Sequence, residues 1–165
     1  MQNNHETHII CARNVTKHFR QRRVLDGVDF MLPSGVIYGI SGANGSGKSV
    51  FLRILCGLIH PSSGQVEVFG QKIGVEAEFP PSTGVLIDNP GFLQTESGLR
   101  NLELLARIQG KVGREKIIQT LSFVGLDPLD RRPVSAYSTG MRQRLGLAQA
   151  IMEDPELLIL DEPTN

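Results

Sequence analysis

Eight residues, Gly42-Ala43-Asn44-Gly45-Ser46-Gly47-Lys48-Ser49, complete the pattern G-x-x-x-x-G-K-S/T, and their types fit the chemistry of holding phosphate. A glycine-rich turn that opens a helix aims several backbone N–H groups at one spot, where hydrogen bonds and the helix dipole together favour an anion. Gly42, Gly45 and Gly47 are expected to take positive φ and let the backbone approach the oxygens closely. Lys48 is expected to reach the outer phosphates of a nucleoside triphosphate, with the Ser49 hydroxyl as a ligand for Mg2+. A second candidate is Asp161-Glu162, which follows the aliphatic run Leu157-Leu158-Ile159-Leu160. Carboxylates there emerge at the carboxyl edge of a parallel sheet, where ligands of such sheets bind. Asp161 can hold hydrated Mg2+, and Glu162 can polarise an attacking water as general base or orienting group. The third candidate is Tyr137-Ser138-Thr139-Gly140-Met141-Arg142-Gln143-Arg144. Ser138 stands at a helix N-cap and Gly140 opens the helix, a second anion-binding end. One nucleotide needs two such ends only if they belong to different sites; otherwise this is an ordinary capped surface helix.

These groups need elements to position them. The apolar run 36–40 reads as the strand that delivers the phosphate loop, and a helix follows it and stops near Gly57. Upstream, 8–12 and 24–32 read as an antiparallel pair separated by the basic turn Arg20-Gln21-Arg22-Arg23. That cluster is either a phosphate-binding patch or a solvated hairpin tip. Pro61-Ser62-Ser63-Gly64 turns the chain into a strand over 65–69, and a further strand is expected over 83–87. From Gly98 the pattern is helical: Leu99, Leu102, Leu105 and Ile108 share one face. A helix over 114–123 carries Ile117, Ile118 and Leu121 and stops at Gly125, and another spans 140–152 before Asp154-Pro155. The unbroken run 157–160 predicts a strand buried on both faces. A helical block thus lies between two halves of an α/β core.

With 165 residues there is enough chain for one domain with a substantial core. The formal net charge is zero, so no global field draws the chain to nucleic acid or an anionic bilayer. Cys11 and Cys56 read as small buried hydrophobes, which suits a reducing cytosol. The four histidines lack metal-ligand spacing. His5 and His8 lie in a polar stretch without the apolar core of a signal peptide. No apolar run is long enough to span a membrane, so a membrane role must come through a partner.

In order, the three candidate segments resemble the nucleotide-binding domain of ATP-binding cassette (ABC) proteins. Gly42 to Ser49 is similar to Walker A, and Tyr137-Ser138-Thr139-Gly140-Met141 resembles the Leu-Ser-Gly-Gly-Gln signature, keeping the serine and second glycine. Leu157 to Glu162 is similar to Walker B with its catalytic glutamate, continued by Pro163-Thr164-Asn165. Phe19 stands where the family places an aromatic that stacks on adenine, although a lone Phe near a strand end also serves as core. The resemblance implies an α/β P-loop NTPase fold with a RecA-like parallel core, an N-terminal antiparallel β subdomain and an inserted α-helical subdomain. Residues 8–88 and 156–165 would form the core with its β subdomain, and 89–155 the insertion. It further implies binding of ATP and Mg2+ in a head-to-tail pair of domains. Each ATP would lie between one Walker A loop and the Ser138–Gly140 helix end of the other domain, with hydrolysis at Glu162.

Transmembrane permease subunits are the other implied partners, placing the domain in the cytoplasm on the inner face of the membrane, with no nucleic acid expected. The wording around Walker A and the signature is most similar to bacterial single-domain exporter ATPases, including the peptide-antibiotic resistance branch. The alternative is a soluble ABC module acting on ribosome or DNA, which usually carries tandem cassettes, coiled-coil insertions or basic tails. Two departures stand out. Where the family usually has a glutamine near Mg2+ and water, this chain has Asp88, either a stronger metal ligand or a solvated loop acid. The chain also stops before the family's D-loop and switch histidine, so an incomplete copy is expected, truncated after the Walker B strand. Such a fragment is expected to lack steady ATPase activity and to be insoluble or molten.

Overall fold

The computed structural model describes residues 8–88 and 90–163, so His5, Asn89, Thr164 and Asn165 lie outside the described residues. The chain divides into two compact units, 1–81 and 82–165.

In the first unit, β1 (His8–Phe19) and β2 (Arg22–Pro33) form a long antiparallel hairpin. With β3 (Ser63–Val68) and β4 (Gln71–Lys72) they make one antiparallel sheet in the order β2-β1-β3-β4. Both hairpin strands outrun the expected 8–12 and 24–32, and the turn shrinks to Arg20-Gln21. The extension was hidden because the β1–β2 register shifts between Ala12 and Val15 and again between Val15 and Lys17. Such bulges break strict alternation, the signal by which a strand is recognised. Helix α1 (Lys48–Leu55) packs on β3 and buries Phe51, Ile54 and Leu55. It ends where Gly57 turns the chain at φ 74°, at the expected place.

Residues 36–40 are not a strand. Ile37 is fully exposed and Val36 and Tyr38 are largely so, and Tyr38 makes an edge-to-face contact with Phe30, 5.1 Å between centroids. A strand exists only where its N–H and C=O groups find a ladder. Among the described residues nothing pairs with this run.

In the second unit, β5 (Thr83–Leu86) and β6 (Leu157–Leu160) pair in parallel, Thr83 opposite Leu157 and Leu86 opposite Leu160. Between them come α2 (Gly98–Gln109), α3 (Arg114–Phe123), a short 3-10 turn (Val134–Ala136) and α4 (Thr139–Ile151). The helices bury Leu102, Ile117, Leu121, Val134, Leu145 and Ala148 in one cluster. Helix α4 lies hard against β5. A β-carbon on Gly84 would stand 2.0 Å from the Ala150 carbonyl oxygen, and one on Gly146 would stand 2.7 Å from Leu86 Cδ1. Two expectations need correction. Ile108 is exposed, because the buried stripe of α2 runs through Gly98, Asn101, Leu102 and Ala106. Strand β6 buries Leu157 and Ile159 but leaves Leu158 44% exposed, so it is not closed on both faces.

Candidate functional site

The candidate residues are divided between the two units. In the first, residues 41–46 form an exposed turn and Gly47 is its buried end. Gly45 has φ 80° and Gly47 φ 97°, while Gly42, expected to join them, stays outside the left-handed region. Gly42 is instead small for contact: a β-carbon there would come 3.0 Å from Ser46 Oγ. Gly47 is the N-cap of α1 and accepts from Phe51 N at 2.8 Å. A β-carbon on Gly47 would meet Leu25 Cδ2 and the Val24 carbonyl oxygen, each at 2.9 Å, so only glycine lets the loop sit down on β2. Ser46 N donates to Ala43 O at 3.2 Å and closes the turn. Lys48 folds back over it, Nζ donating to Gly42 O at 2.7 Å and to Ala43 O at 3.0 Å. The lysine ammonium is thus tied to the first two residues of the loop that leads into α1. Phe19 ends β1 with its ring 46% exposed. Lys17 Nζ lies 5.1 Å from that ring's centroid and is itself held by the His60 carbonyl oxygen at 2.7 Å.

In the second unit the parallel register carries both acidic positions to one edge. Asp88 comes two residues after Leu86, and Asp161 and Glu162 follow Leu160, its ladder partner. Asp161 N donates to Leu86 O at 2.8 Å and ties the two strand ends together. Asp88 and Glu162 both hold left-handed backbone, φ 60° and 47°. That conformation is uncommon for non-glycine residues and tolerated best by Asp and Asn.

The Ser138 expectation is met in geometry. Its side chain accepts from Met141 N at 3.2 Å at the head of α4. Among the described residues a β-carbon on Gly140 would meet nothing within 4 Å, so packing against them does not explain the glycine.

Two positioning residues escaped the sequence reading. Buried Tyr137 accepts through its hydroxyl from Gly98 N at 3.3 Å, and burial raises its pKa above the ordinary phenol value. It therefore stakes the start of α4 to the start of α2. Buried Asn101 donates through Nδ2 to the Leu93, Glu96 and Ser97 carbonyls and accepts from Leu93 N, fixing the loop ahead of α2. The available signal was a polar residue beside Leu102 on an otherwise apolar face.

A phosphate loop on one helix end, paired acids after a parallel strand and a capped helix before it define the ATP-binding cassette class. Residues 25–165 match the family model for the ABC transporter, and the chain belongs to that family. It is 41% identical over 157 residues to the uncharacterized ABC transporter ATP-binding protein YybJ of Bacillus subtilis, covering 95% of this chain and 72% of YybJ. It is 39% identical over 160 residues to the bacitracin transport ATP-binding protein BcrA of Enterococcus faecalis, covering 96% of this chain and 52% of BcrA. The chain thus spans about half the length of several curated relatives it matches. Its fold is similar, at TM-score 0.81 and 22% identity, to the dimeric post-hydrolysis state of the ATP-binding cassette MJ0796 bound to ADP and Pi. That alignment covers 94% of this chain and 74% of the other.

Proposed function

We propose that this chain supplies the ATP-binding and hydrolysing part of an ABC-type membrane exporter. The observation that carries the proposal is the loop at 42–49, which has two left-handed glycines, a lysine folded back on its own carbonyls and a helix start at Lys48. Lys48 exchanges its two carbonyl acceptors for the outer phosphates of ATP, a charge-assisted contact stronger than the neutral ones it leaves. Backbone N–H groups from Ala43, Asn44, Gly45, Ser46 and Gly47 orient the remaining oxygens. Phe19, partly exposed, offers its ring to adenine, with Lys17 Nζ over the ring at 5.1 Å.

Ser49 brings a hydroxyl in the first unit, and Asp88 and Asp161 bring carboxylates in the second, each a hard oxygen donor of the kind that suits Mg2+. Held by such donors, the ion would supply neutralisation of phosphate charge. Glu162 takes the proton of the attacking water on a carboxylate oxygen, the role its place at the strand end allows. Ser138 and Gly140 serve a second copy's nucleotide, for which the open space at Gly140 is the support. A dimeric cassette among the structural neighbours and a bacitracin transport protein among the relatives favour this reading over the ribosome- or DNA-acting alternative. The permease partner accounts for a membrane role, since no helix of the described residues is long and apolar enough to cross a membrane.

The test is ATP turnover by the full-length protein in vesicles, with and without a co-expressed multi-span permease subunit. Turnover stimulated by that partner and abolished by Lys48→Ala is the expected result. Turnover indifferent to Lys48→Ala, or stimulated by ribosomes or DNA instead, overturns the reading.

A further inference from the structure

Resting on the reading of residues 42–49 as a nucleoside triphosphate site, we propose that Arg22 is a further binding residue for the nucleotide's phosphates. Strand β2 runs beside the loop in step with it. A β-carbon on Gly47 would lie 3.2 Å from Val24 Cγ1, and a β-carbon on Gly45, two residues earlier, would lie 4.0 Å from Arg22 Nη2. The guanidinium of Arg22 therefore stands beside Gly45, in the exposed part of the phosphate loop. Its neighbour is spoken for: Arg23 Nη1 pairs with Asp26 Oδ1 at 2.7 Å. Among the described residues no carboxylate pairs with Arg22. An exposed cation to which no described residue supplies a carboxylate, at the rim of a site built for a polyanion, adds to the local positive potential of Lys48 and the helix start. Guanidinium is also the cation best shaped for phosphate, offering a planar fork of donors. The basic turn at the hairpin is thus divided, with Arg23 structural and Arg22 turned to the ligand.

The experiment is titration of the full-length protein with a fluorescent ATP analogue at two salt concentrations. Variants are Arg22→Ala, Arg22→Lys, Arg22→Glu, Arg23→Ala and Lys48→Ala, each with its thermal midpoint. Arg22→Ala is expected to weaken binding by about five- to tenfold, between a screened surface contact and a full charged hydrogen bond. Arg22→Glu should weaken it more, Arg22→Lys less, and the salt dependence of Kd should flatten once the charge is gone. Arg23→Ala should bind as the parent does. Parent-like binding by Arg22→Ala and Arg22→Glu, with binding lost in Lys48→Ala, overturns the Arg22 proposal alone. Equal losses in Arg22→Ala and Arg22→Lys with lowered midpoints also overturn it, by assigning Arg22 to hairpin packing. Undiminished binding by Lys48→Ala removes the site itself.

Discussion

Glu162 and Asp88 sit at one strand-pair edge yet predict opposite kinds of effect. Glu162→Gln keeps size and hydrogen bonding but cannot take a proton. It should leave ATP affinity within about twofold and slow hydrolysis by roughly 10²–10⁴-fold, the usual worth of a general base. Equilibrium binding beside single-turnover hydrolysis checks this; parent-rate hydrolysis would move the role to another carboxylate. Asp88→Gln removes charge instead. If Asp88 is a metal ligand, the Mg2+ concentration needed for half-maximal turnover should shift, because amide and carboxylate differ in ligand strength. Superimposable Mg2+ titrations would leave Asp88 a loop acid. The phosphate-loop string and the acids after Leu160 could be singled out as candidates because their residue types stand at a characteristic spacing, whereas Phe19 and Asp88 have ordinary uses as well. Tyr137 works through a contact with Gly98, 39 residues away, that no local pattern announces, whereas Asn101 left one local sign, a polar residue on an otherwise apolar helix face.

Helix α4 shows how an element's two sides carry different risks. At its head Ser138 supplies one capping hydrogen bond, so Ser138→Ala should cost about 1 kcal/mol. Near its tail, a methyl on Gly84 would overlap the Ala150 carbonyl oxygen, and Gly84→Ala should cost several times more by prising helix from strand. Urea melts of the full-length protein should rank the two in that order, and equal losses would mean that the β5–α4 contact is slack. The helices were readable because caps and stops are local: Ser138, Gly125 and Gly57 end or begin elements where expected. Strands were harder. A run such as 36–40 states only that its side chains are apolar, whereas being a strand depends on a neighbour supplied from elsewhere. The same dependence left Leu158 partly open to solvent although its sequence promised burial.

At the scale of the whole molecule, the exposed Val36, Ile37, Tyr38 and Leu158 form the liability. Expressed as these 165 residues, the chain should bind a hydrophobic dye and associate with rising concentration, as exposed apolar surface does. Light scattering would show it, and a monodisperse, dye-silent preparation would refute it. Ile37→Lys, at a site with nothing to lose, should reduce the association. The parallel pair β5–β6 has a consequence in time. Glu156 N reaches back to Ser82 Oγ across 74 residues, and the whole ladder beside it spans the same interval. The hairpin of β1 and β2 can zip from its own turn within microseconds of being made. β5 must wait, its edge bare, until three helices have been synthesised and the chain has carried β6 home. On a ribosome adding about 5–20 residues per second, that wait lasts seconds. During those seconds the nascent chain has a finished first unit and an unfinished second, and this is the interval in which a chaperone would find it.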